Sequence, residues 1–192
     1  TSLGLTGYKE ARPAVEELFR SSPDRSIRRK ALESMALMRD PGAAALFESL
    51  LGHSDPYYRE LAAEGLARLH HDPAVLQDRM NQEKQFNVRM ALAFALAASG
   101  QDSYINDLAN GLDSKQLDQV HVYLVELGKY DTKVPELLRY LRSQNPKVRA
   151  RMLDVLGEIG DKSAREQIQP LTDDPNIEVV RAAVAEIGRA QV

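Results

Sequence analysis

Apolar positions recur along this chain at helical spacing, and one stretch shows the pattern with its punctuation in place. In Asn145–Asp161, NPKVRARMLDVLGEIGD, Val148, Met152, Leu156 and Ile159 fall on one helical face. Asn145 is a good N-cap, and Pro146 suits the first helical position, where its missing N–H is not needed. Gly160 supplies a left-handed C-cap. The pattern predicts an amphipathic helix, and the period-two alternation of strands is missing from the chain.

The same template fits five more times. Counterparts of Val148 stand at Ile27, Tyr58, Val88, Gln119 and Val179, in steps of 29 to 31 residues. Three residues before each anchor lie Asp24, Asp55, Gln85, Gln116, Asn145 and Asn176, four of them strong N-caps. Eight residues after it lie Met35, Leu66, Leu96, Leu127, Leu156 and Ile187, a large aliphatic knob each time. Next come Ala36, Ala67, Ala97, Gly128, Gly157 and Gly188. A position that is always small predicts that another backbone approaches closely there.

Shorter helical segments are expected near Pro13–Arg20, Ala43–Leu51, Ala74–Asn81, Tyr104–Leu112, Val134–Arg142 and Ala164–Leu171. Turns such as RDPG at 39–42 and HHDP at 70–73 join the two helices of a pair. The expected fold is an all-α solenoid of about six helix pairs, each burying its apolar face against its neighbours. LGLTGYKEAR at Leu3–Arg12 aligns without a gap to LGEIGDKSAR at Leu156–Arg165, so residues 1–21 read as a partial repeat. Residues 1–192 therefore read as one array, opening inside a helix and ending at Val192 about where the sixth anchored helix should finish, as in a piece of a longer solenoid.

Composition narrows the function classes. A hydrophobic fraction of 43% and a charged fraction of 28% are those of a folded chain. The net charge of −3 gives no global field for nucleic acid. The absence of cysteine excludes disulfides and thiolate metal sites. No apolar run approaches the ~18 residues needed to span a bilayer, and no signal peptide is visible, so a cytoplasmic location is expected.

The combination of a cap, Val-Arg, small residues and Leu-Gly-x-Ile-Gly-Asp resembles the short HEAT-like repeat named after the phycobilisome lyases. VRARMLDVLGEIGD at Val148–Asp161 and IRRKALESMALMRD at Ile27–Asp40 carry the resemblance best. YRELAAEGLARLHH at Tyr58–His71 and VRMALAFALAASGQ at Val88–Gln101 follow. Ankyrin and TPR signatures are not seen. The resemblance implies a right-handed α-α superhelix in which the Arg after the anchor ties neighbouring turns together. Arg28, Arg59, Arg89 and Arg149 match that slot; Val120 and Val180 depart from it, although Arg181 is one residue away. The fourth copy, QVHVYLVELGKYD, is the most divergent, and its Gln119 is a poor anchor.

Chemistry is sparse. His70, His71 and Asp72 have metal-ligand residue types, but adjacent histidines do not share a helical face and a solvated turn is expected. The HEAT-like deoxyhypusine hydroxylases bind iron through His-Glu pairs, and no histidine here is followed by Glu. The HEAT-like DNA glycosylases use aromatic residues, Trp among them, and this chain has no Trp. No catalytic residue, metal site or cofactor is assigned. A basic cluster at Arg20, Arg25, Arg28, Arg29 and Lys30 could meet a phosphate or acidic peptide, but a solvated surface is expected.

Counting 100° per residue, positions +2, +3, +6 and +10 from each anchor face away from the core. They are charged in the first, second and fifth copies but become apolar in the third and fourth. The resemblance places the Val-Arg helices on the concave face, where Leu61, Met90, Phe94, His121, Val122 and Val125 would form an apolar strip between charged flanks. The competing reading is that the divergent fourth copy rotates and buries them. The expected function is a non-enzymatic scaffold binding a protein or peptide partner there, with pairing to a second copy as a further use of the strip. The alternatives are an accessory or targeting domain of a larger enzyme and, more weakly, binding to a nucleic-acid backbone.

Overall fold

The computed structural model describes residues 9–130 and 132–189. The opening residues on which the partial repeat was read, 1–8, and the close at 190–192 lie outside them. The described residues form α-helices and short 3-10 turns with no strand. In chain order the helices are α1 (Arg12–Ser21), α2 (Arg25–Met38), α3 (Ala44–Leu50), α4 (Pro56–Arg68), α5 (Pro73–Gln82), α6 (Phe86–Ala98), α7 (Ile105–Gly111), α8 (Leu117–Gly128), α9 (Val134–Leu138), α10 (Pro146–Ile159), α11 (Arg165–Ile168) and α12 (Ile177–Arg189). The fold is an α-solenoid of helix pairs, with the anchored helices the even-numbered ones.

The start signals act as the sequence predicts. The side chains of Asp24, Asp55, Asn145 and Asn176 accept the backbone N–H two residues on, at 2.7, 3.1, 3.0 and 2.9 Å. Gln85 and Gln116, a methylene longer, make no such bond. Pro56, Pro73 and Pro146 open their helices. Gly160 ends α10 in the left-handed region at φ 74°, and Arg39 takes that conformation after α2 at φ 54°.

Two of the shorter segments are continuous helices, α1 and α5, and the other four break into α-helix and 3-10 pieces. Asp40 and Asp161 accept from the N–H groups of Gly42 and Ser163, closing a tight 3-10 turn ahead of α3 and α11. The expected segment Ala164–Leu171 keeps only α11 as α-helix, because Pro170 has no N–H to continue the ladder. In the divergent fourth copy Gln119 is only half-buried, and Val120 takes the anchor's place at 1% exposure.

The chain divides into two compact units, Thr1–Gln101 and Asp102–Val192. In the first, α2 packs on α4 and α4 on α6, with α1, α3 and α5 behind them. In the second, α8 packs on α10 and α10 on α12, with α7, α9 and α11 behind. Leu32, Leu66, Phe47 and Leu96 lie at the centre of the first unit, and Tyr123, Leu127, Leu137 and Leu153 at the centre of the second. None of the described helices is long and apolar enough to cross a membrane.

Candidate functional site

Where an arginine follows the anchor, it builds the inter-helix turn. Arg28, Arg59 and Arg149 each donate from Nη1 to the carbonyls six and five residues earlier, at 2.6 to 3.4 Å. Arg89 donates from Nη1 to the carbonyls of Met80 and Glu83, nine and six residues earlier. Two of the four also reach the next repeat. Arg59 grips Glu83 at 2.7 and 3.0 Å, and Arg149 grips Asp174 at 2.9 and 2.8 Å, both as two-pronged forks. These bonds hold the Glu83 and Asp174 carboxyls below the usual carboxylate range. Glycine and histidine stand at the corresponding positions after Arg28, so its fork has no carboxylate to meet there.

A second slot went unread in the sequence. Five residues before each anchor stand Ser22, His53, Glu83, Ser114, Ser143 and Asp174, and each accepts the N–H of the residue two places on. The residue types differ but all carry a short-range acceptor. Spacing from the anchor was the signal that would have exposed it.

The apolar strip expected at Leu61, Met90, Phe94, His121, Val122 and Val125 is not presented as expected. Phe94 is 1% exposed, and Leu61, Met90 and Val125 are buried at 6–7%. The wheel assumed one covered side, whereas α4 is packed by α2, α3 and α6 together. Every residue of α6 from Met90 to Ala98 is buried, as befits a helix with no polar face over that span. Only Val122 is open, at 49%; His121 is half-buried, with Nε2 2.9 Å from Glu158.

At two members of the small slot the close approach comes from side chains and not from backbone: a Cβ on Gly128 would strike Ile159, and one on Gly157 would strike Glu186. The neighbouring slot, five residues after the anchor, is occupied by Leu32, Ala63, Ala93, Leu124 and Leu153, all 0% exposed. Its sixth member, Val184 on α12, is 56% exposed. Ile177 on the same helix is 61% exposed, and the space around a Cβ at Gly188 is empty.

A family model described as HEAT repeats matches residues 1–67 and 134–191. The chain belongs to the HEAT-repeat family. No curated protein matches it. Among solved structures, human deoxyhypusine hydroxylase in complex with glycerol is 18% identical, with 98% of this chain and 76% of that one covered and a TM-score of 0.41. The complex of CpcE and CpcF of phycocyanin lyase from Nostoc is 18% identical, covering 93% and 76%, at a TM-score of 0.47. A designed armadillo repeat protein in complex with a (KR)4 peptide is 14% identical, covering 94% and 99%, at 0.42.

In this HEAT array the remaining polar candidates are engaged locally. His70 Nδ1 lies 2.9 Å from the Ala98 carbonyl, His71 Nε2 lies 2.8 Å from Glu48, and Asp72 caps α5 through Ala74 N–H. These three side chains diverge. In the basic cluster, Arg20 pairs with Glu16, Arg25 and Arg29 with Asp55, and Lys30 with Glu33, while Arg28 serves the turn carbonyls. The bond from Arg25 leads the effects that take the Asp55 carboxyl down to about 2. Glu60 behaves in the opposite way. Burial on α4, helped by the charge of Glu64 one turn on, raises its carboxyl to about 7.

Proposed function

We propose that this HEAT-repeat chain is a non-enzymatic scaffold that binds a helical or extended segment of a protein partner on the face of α8 that carries Val122. One observation carries this reading. Of the six residues expected in the apolar strip, Val122 is the open one, 49% exposed in the middle of an anchored helix. A helical or extended segment would set an aliphatic side chain against it. Asp118 and Lys129, one turn before it and two turns after it, border it as exposed charges, a rim suited to setting register and on-rate. The engagement of the histidines with a carbonyl, a backbone N–H and carboxylates leaves them in structural roles, which supports a binding rather than a chemical function.

The test is photo-crosslinking from single positions. A photoreactive side chain at position 122 should capture a partner in source lysate, and one at position 75 on exposed α5 should not. Capture at 75 with none at 122 would overturn the placement.

A further inference from the structure

The turn before α4 and the turn before α6 border an open, solvent-facing cavity of about 430 Å³ in the first unit, lined among others by His53, Ser54, Arg79, Glu83 and Lys84. Its walls are rich in donors. Arg79 is half-buried, with Nη2 lying so close over Gly52 that a Cβ there would sit 3.0 Å from it. Neither the Arg79 guanidinium nor the Lys84 ammonium meets a carboxylate among the described residues. His53 accepts the Asp55 N–H at Nδ1, 3.0 Å away, so the neutral ring carries its proton on Nε2 and offers a further donor. Ser54 adds a hydroxyl.

The single carboxylate in the lining is already engaged. Glu83 takes the two-pronged fork of Arg59 and the backbone N–H groups of Lys84 and Gln85. That pair is internally neutral, which leaves the two charges of Arg79 and Lys84 facing the cavity. A phosphomonoester carries about −1.5 to −2 near neutral pH, with three acceptor oxygens. A guanidinium fork fits a phosphate in two-pronged fashion, and an ammonium adds a point charge. We infer that this cavity binds a phosphomonoester group, held by Arg79 and Lys84 with Ser54 and His53 as neutral donors. The inference is independent of the α8 face, and its failure leaves that reading standing.

Calorimetric titration of the chain with inorganic phosphate, a phosphoserine peptide and glutarate tests it. Saturable phosphate binding is expected, weakened at least tenfold by Arg79→Gln and weakened again by added salt. Lys84→Gln, on an exposed side chain, repeats the test without disturbing packing and should also lose several-fold. Phosphoserine binding tighter than inorganic phosphate assigns the group to a modified side chain; equal binding assigns it to free phosphate. No saturable phosphate binding, glutarate binding as tightly as phosphoserine, or affinity unmoved by both substitutions overturns the inference.

Discussion

Arg149 binds Asp174, 25 residues on, through two parallel bonds of 2.9 and 2.8 Å while its third nitrogen holds the carbonyls of its own turn. One side chain thus ties two successive turns of the second unit. The Asp174 carboxyl lies below the usual aspartate range because Arg149 stabilises its charged form. A depressed carboxyl contributes stability above the unfolded aspartate value, and that contribution disappears as pH falls through the folded one. Asp174→Asn should therefore cost about 1 kcal/mol near pH 7. In denaturant titrations the gap from the parent should close as pH falls below the ordinary aspartate range.

Glu60 should act with the opposite sign. Its carboxyl is raised to about 7, so over the range from the ordinary glutamate value to about 7 the folded state holds a proton that the unfolded state has released. Stability is then fullest below that range and falls as pH rises through it. Glu60→Gln should stabilise the chain at pH 8 by on the order of 1 kcal/mol, since partial solvation reduces the full effect of ~1.4 kcal/mol per unit. At pH 4 the two melting curves should coincide.

Gly65 faces the ring of Phe47 so closely that an added Cβ would come within 2.5 Å of Cε2. Phe47 is 1% exposed and has nowhere to move. Gly65→Ala should destabilise by about 1–3 kcal/mol through overpacking, despite the better helix propensity of alanine. An unchanged thermal midpoint would show that the α3–α4 contact is looser than described.

Phe94 is a core residue of α6. Phe94→Ala should lower stability by about 3–5 kcal/mol, as for other fully buried aromatics. Chemical denaturation measures it, and a loss under about 1 kcal/mol would return Phe94 to the surface.

The repeat was legible because its signals are local. Asp24, Asp55, Asn145 and Asn176 cap helices on their own, and the knobs Leu66, Leu96 and Leu127 need only helical spacing to be seen. The binding strip was misread because burial in a solenoid is not local. Leu61 and Phe94 are buried because α4 and α6 pack on each other as well as on the other helix of their own pairs. The uncharged run MALAFALAA already indicated a helix without a solvent face.

The most direct test of the scaffold reading places one charge at two positions of α8. Val122→Glu and Leu124→Glu are compared by thermal melt and by partner capture from source lysate. Leu124→Glu should unfold the chain, since a fully buried carboxylate has no partner there. Val122→Glu should melt within a degree or two of the parent and lose the captured partner. Val122→Glu that melts with the parent and keeps its full partner set would contradict the account.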